Sequence, residues 1–140
     1  MMRFVVEPAV ALKWFIPERH SATAARLLDG GCELLAPDTI IPDAGKIITI
    51  KTRSGELSRE EGVQVLNALR SSPVWIEASE PLLEPAFWFS STMDRPLGDG
   101  LNMALAVASD CRLVTASREL FERVQGTPFA THVKWVGDIR

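Results

Sequence analysis

The sequence predicts an α/β fold, a three-layer α/β/α sandwich around a mostly parallel central sheet of about five strands. Three observations predict it. Short apolar runs alternate with stretches of helical periodicity along the whole chain. Those runs are apolar on both faces, as strands covered from both sides are. A helical stretch separates successive runs, which suits parallel pairing through right-handed crossovers. With 140 residues, 46% of them hydrophobic and 24% charged, the chain reads as one domain over residues 1–140 with a core of useful size.

The elements follow in order. Phe4-Val5-Val6 is a buried strand, cut by Glu7-Pro8. Val10 to Phe15 gives a short helix, stopped near Pro17. Ala22, Ala25 and Leu28 mark a second helix, closed by Gly30-Gly31. Leu34-Leu35-Ala36 is the second strand. Ile40, Ile41, Ala44, Ile47 and Ile48 then lie on one helix face, ending near Ser54-Gly55. Ser58 with Glu61 forms a capping box for a helix carrying Val63, Leu66 and Leu69. Pro73 breaks that helix before a third strand, Val74-Trp75-Ile76. Ser79-Glu80-Pro81 starts the next helix, with Leu82, Ala86, Phe89 and Met93 in register. Asp99 is read as the cap of a very apolar helix, Leu101 to Ala108, buried all round. Leu113-Val114-Thr115 is the fourth strand, Ser117 opens a short helix, and His132 to Val136 closes the sheet.

The formal net charge is −3, so a polyanion would have to be held by a local basic patch, a metal ion or a second subunit. Cys32 and Cys111 lie far apart and read as buried free thiols, which suits a reducing cytoplasm. No stretch is long enough to span a bilayer and no signal peptide is visible. His20 and His132 lack ligand spacing, and Trp14, Trp75 and Trp88 sit in apolar runs as core residues.

Functional groups in parallel sheets gather beyond the carboxyl ends of the strands. Glu7 stands directly after the first strand and Ser117 two residues after the fourth. Asp43 lies at the edge of the apolar face of its helix, about a quarter turn from the centre at about 100° per residue. Asp99 and Ser117 are also ordinary capping residues, and Asp43 has Lys46 at i+3 as a ready partner. Glu7 is harder to explain away, because an acid after a buried strand is costly unless it faces a cleft or finds a partner. Clustered carboxylates persist where a cation joins them, and an all-oxygen set selects magnesium, manganese or calcium. Such ions serve phosphoryl chemistry.

Four blocks in this order resemble the PIN-domain family, which includes the VapC toxins. They are Phe4-Val5-Val6-Glu7-Pro8-Ala9-Val10-Ala11-Leu12-Lys13-Trp14-Phe15, then Leu34 to Asp38 with Pro42-Asp43-Ala44-Gly45-Lys46, then Leu97-Gly98-Asp99-Gly100-Leu101-Asn102-Met103, and Cys111 to Ser117. The resemblance covers nearly the whole chain. It implies a magnesium- or manganese-dependent endoribonuclease, cytoplasmic, homodimeric and paired with a small antitoxin protein. By position it assigns Glu7, Asp43 and Asp99 to the metal and Ser117 to the fourth catalytic place, with an RNA phosphodiester as substrate.

Several positions depart from the family's pattern. Glu7 stands for the usual Asp and Asp43 for the usual Glu, reciprocal changes that move each carboxylate by roughly 1.5 Å, where catalytic groups tolerate about 0.5 Å. Ser117 replaces an Asp, Ala9 a Ser and Lys46 an Asn, while Pro8 stiffens the turn after the strand. The alternative reading is therefore a catalytically impaired PIN-fold protein that binds RNA or an antitoxin-like partner without turnover. Lys46, Lys51, Arg53, Arg95 and Arg118 give a weak basic footprint, of which Lys46 and Arg118 are the candidate substrate contacts. An aspartyl phosphatase would need an Asp after the first strand, and Gly98-Asp99-Gly100 is too short for a phosphate-cradling loop.

Overall fold

The computed structural model describes residues 2–140; Met1, which opens the sequence reading, lies outside them. Among the described residues five strands form one all-parallel sheet: β1 Met2–Val6, β2 Cys32–Pro37, β3 Val74–Glu77, β4 Arg112–Thr115 and β5 Val133–Trp135. Their spatial order is β3-β2-β1-β4-β5. The helices are α1 Pro8–Leu12, α2 Ser21–Ala25, α3 Ile40–Arg53, α4 Arg59–Arg70, α5 Leu83–Met93, α6 Leu97–Ala108 and α7 Arg118–Val124.

The alternation of side chains along β1 divides the core in two. Phe4 and Val6 face one layer with Leu34, Ala36 and Val114, covered by Leu12, Ile48 and Leu69 of α1, α3 and α4 and by Leu27 in the turn after α2. Val5 faces the other with Leu35, Leu113 and Val133, covered by Phe89, Met103, Leu105 and Leu120 from α5 to α7. The predicted three-layer sandwich is therefore what forms, and its sheet is parallel throughout.

The chain builds outward from β1 to β2 and β3, then returns to the opposite side of β1 for β4 and β5. β1 registers with β2 on one side (Val5 beside Leu35) and with β4 on the other (Val6 beside Val114). The order thus reverses between β1 and β4, and a crevice opens beyond their carboxyl ends at such a switch point.

Local signals explain most element ends. Ser58 Oγ accepts from the Glu61 amide at 3.1 Å while Glu61 Oε1 accepts from the Ser58 amide at 2.8 Å, so the predicted capping box forms. Ser117 Oγ accepts from the Leu120 amide at 3.1 Å and caps α7. On α6, Gly100 through Ala106 are buried, as the apolar sequence requires. A Cβ at Gly100 would overlap the Ala86 carbonyl and the Ser90 hydroxyl, so glycine is what lets α6 press against α5.

Other expectations need correction. The first helix spans Pro8–Leu12 rather than Val10 to Phe15, because proline suits a first helical turn and fixes the start earlier. Residue Asp99 does not cap α6: Pro96 holds the cap position with extended backbone, so the helix starts two residues before it. Trp75 and Trp88 are not core residues but 68% and 64% exposed. β3 is an edge strand and the outer face of α5 has no layer over it, so apolar runs there meet solvent. Val63 likewise lies on the outer face of α4. Cys32 and Cys111 are free but only half-buried; burial pushes both thiols up.

Candidate active site

The crevice at the switch point is a cleft of about 390 Å³ lined by Glu7, Asp43, Asp99, Ser117 and Lys46, with Asn102, Ala9 and Gly98 between them. Every acidic candidate from the sequence therefore opens onto one space, and each arrives on a different element. β1 delivers Glu7, the first turn of α3 delivers Asp43, the first turn of α6 delivers Asp99, and the loop after β4 delivers Ser117. α6 starts close to α3: a Cβ at Gly98 would sit 3.4 Å from Asp43 Oδ2.

Glu7 is 5% exposed. Its Oε1 accepts from the Ala116 amide at 2.7 Å and its Oε2 from Thr115 Oγ1 at 3.0 Å. Thr115 Oγ1 in turn accepts from the Ser117 amide at 2.9 Å. Burial pushes the Glu7 carboxyl up to about 7, with the negative charge of Asp99 adding and the Ala116 and Thr115 hydrogen bonds opposing.

The two aspartates are held differently. Arg95 Nε donates to Asp99 Oδ2 at 2.9 Å from a guanidinium only 11% exposed, and Arg95 Nη1 lies 2.8 Å from Glu119 Oε1. Burial raises the Asp99 carboxyl, Arg95 pulls it back, and Glu119 and Asp43 push it further up. Lys46 Nζ stands 3.6 Å from Asp43 Oδ1 as the sequence spacing suggested, on a side chain 79% exposed at the cleft mouth.

Three residues shape this site without standing out in the sequence as part of it. Arg95 was noted only as a flanking cation, although i to i+4 spacing to Asp99 announces the pair. Thr115 was counted as strand, and nothing local reveals that its hydroxyl would meet an acid 108 residues away. Asn102 lies one helical turn after Asp99, a polar residue in an apolar helix, and is 6% exposed in the cleft. Arg118 lies outside the cleft lining, its guanidinium carbon 4.4 Å from the centre of the Trp135 ring.

No protein-family model matches the sequence, and no curated protein does. Solved structures match it in fold. The PAE2754 protein of Pyrobaculum aerophilum superposes with a TM-score of 0.69 at 18% identity, over 96% of this chain and 84% of that one. VapBC2 of Rickettsia felis, bound to a DNA fragment from its promoter, gives 0.66 at 12% identity over 96% and 98%. VapC20 of Mycobacterium tuberculosis, a sarcin-ricin-loop-cleaving toxin, gives 0.60 at 15% identity over 81% and 88%. The chain has the PIN-like α/β/α fold of VapC toxins, and the resemblance seen in its four sequence blocks extends to its architecture.

A magnesium or manganese ion fits part of this donor set. Asp43 and Asp99 offer carboxylate oxygens to one cleft, and magnesium is commonly held by one or two carboxylates with waters completing its shell. Glu7 lines the same cleft with each oxygen already accepting one hydrogen bond, from Thr115 and Ala116, and only its remaining lone pairs are open to a cation. Among the described residues no group of three or more histidine, cysteine, aspartate or glutamate side chains could hold a metal ion. Nor is any helix among them long and apolar enough to cross a membrane.

Proposed function

We propose that this protein is a VapC-like endoribonuclease of a toxin–antitoxin pair, which hydrolyses RNA phosphodiesters with magnesium or manganese and does so slowly. The observation that carries the reading is the meeting of Glu7, Asp43, Asp99 and Ser117, from four stretches of chain, in one cleft at the switch point of a VapC-like fold. Asp43 and Asp99 would hold the ion, which supplies an activated water and neutralises charge on the phosphate. The residues of the chain do the rest. Lys46, exposed at the mouth, receives a phosphate oxygen; Arg95 aims Asp99 and opposes the upward push of burial on its carboxyl. Ser117 offers a hydroxyl, and Glu7 ties the end of β1 to the loop after β4 by accepting from Thr115 and Ala116. A small antitoxin protein, a second copy of the chain and a cytoplasmic setting complete the reading.

The slow rate follows from the altered positions. A cation entering the cleft competes with Lys46 for Asp43 and with Arg95 for Asp99, and meets a Glu7 whose oxygens are already bonded. Those same contacts favour a second reading, a binder of RNA or antitoxin without turnover. Incubating RNA with purified protein and manganese separates the two. Cleavage that disappears in Asp99→Asn supports the nuclease. Its absence in wild type, with cleavage created by Glu7→Asp plus Ser117→Asp, supports the binder.

A further inference from the structure

Six cations of this chain are paired with acids, five of them on the helix layers. Lys13 and Lys51 share Glu18, Lys46 pairs with Asp43, and Arg95 and Arg123 share Glu119. A group of the unpaired cations gathers at the β5 edge of the sheet. Arg26, Arg118, Lys134 and Arg140 form no ion pair within 4.0 Å among the described residues. Three of them, Arg26, Lys134 and Arg140, line a hollow of about 540 Å³ whose one acidic member is Asp138. Arg26 is fixed there by donating from Nη1 to the Ile139 carbonyl at 2.9 Å.

Chain neighbours lead from the cleft to the hollow, the last step rounding the edge strand β5, where successive side chains point to opposite faces. Ser117 lines the cleft, and Arg118 follows it in the chain with its guanidinium over the Trp135 ring. Trp135 follows Lys134 on β5, and Lys134 lines the hollow. His20 meets the indole edge-on at 5.7 Å between ring centres. A Cβ at Gly137 would lie 2.8 Å from Trp135 Nε1 and 3.1 Å from His20 Cε1, so only glycine lets the two rings close over that turn. Exposed Arg118 thereby presents a guanidinium backed by an aromatic ring, a plane on which a base can stack.

We infer that single-stranded RNA leaves the acidic cleft across Arg118, stacks a base on its guanidinium, and sets a phosphate in the hollow of Arg26, Lys134 and Arg140. The inference rests on the ribonuclease reading for the cleft and assigns that reading a strand path. Excess unpaired cations in one hollow attract a polyanion that the net charge of −3 would otherwise repel. An acidic peptide would use the cations but not the stacked face of Arg118. Single-stranded RNA uses both.

The test is fluorescence anisotropy with a labelled RNA of roughly twelve nucleotides, a length within known single-strand site sizes, in EDTA so that no turnover intervenes. Lys134→Ala should flatten the log–log salt dependence by about 0.7, the loss of one single-strand phosphate contact. Arg118→Ala should raise Kd at least about fivefold, the lower end of a stacking contribution. Arg118→Lys should restore the salt slope without restoring the affinity. Arg59→Ala, at the start of α4 and in the lining of neither the cleft nor the hollow, should bind like wild type, and circular dichroism checks that each variant is folded. Wild type that binds no RNA overturns the path and the RNA reading together. Wild type that binds, with Lys134→Ala and Arg118→Ala indistinguishable from Arg59→Ala, overturns the path alone. Loss of binding to a polyglutamate peptide with RNA binding unchanged overturns it in favour of an acidic protein partner.

Discussion

On the strand side of the cleft Glu7 is held by neutral donors, a threonine hydroxyl and a backbone amide. On the helix side Asp43 and Asp99 are held by a lysine and an arginine. Both sides carry carboxylates in the same 390 Å³ space, yet one answers burial with a proton and the other with counter-ions. The difference comes from depth. At the end of a central strand Glu7 has no basic side chain in direct contact and feels Arg95 only at a distance, whereas the first turns of α3 and α6 have room for partners three and four residues away.

The strand side gives the largest expected effect. Folding raises the Glu7 carboxyl from 4.5 to about 7, so the folded state holds its proton more tightly than the unfolded one. The stability this contributes is fully present below about pH 4.5 and lost as pH rises through about 7, a span on the order of 3 kcal/mol. Glu7→Gln keeps an acceptor for Ala116 and places an amide beside Thr115, with nothing to ionise. In urea titrations in EDTA, its stability relative to wild type should therefore climb between pH 5 and 8. Parallel curves for the two proteins would show that Glu7 is not protonated by burial.

Next comes the packing that sets the helix side. Gly100→Ala drives a methyl group into the Ala86 carbonyl and the Ser90 hydroxyl, and should cost about 2 kcal/mol as the helices part. A thermal melt unchanged from wild type would mean that α6 is free to shift. The two ion pairs then separate by burial. Arg95→Ala leaves Asp99 half-buried without its partner and should cost about 1–2 kcal/mol, with the Asp99 carboxyl rising further in an NMR titration. Lys46→Ala, at an exposed pair, should stay within about 0.5 kcal/mol. Equal costs for the two would erase the distinction between a built-in partner and a surface charge.

Much of this was legible in the residues themselves. Apolar runs on both faces with helices between them are enough for a parallel sandwich, and Ser58 with Glu61 announces its cap outright. The four cleft residues were also legible, because strand ends and helix starts are where such folds collect function. What stayed hidden depends on neighbours far along the chain. Nothing near Thr115 says that it will hold Glu7, and nothing near Trp88 says that no layer will cover α5. The helix start misread at Asp99 turned on Pro96, whose restricted backbone outweighs the capping preference of an aspartate three residues later.

The slow nuclease we propose is one whose cleft acids are already satisfied from within. The most direct measurement is the rate of manganese-dependent RNA cleavage by wild type and by Glu7→Asp/Ser117→Asp, each with and without Asp99→Asn. The account predicts weak cleavage by wild type, at least about tenfold faster cleavage by the double variant, a modest gain on the scale of outer-shell changes at metal sites, and none once Asp99 is changed. A wild type that cleaves as fast as the double variant, or cleavage that survives Asp99→Asn, would contradict it.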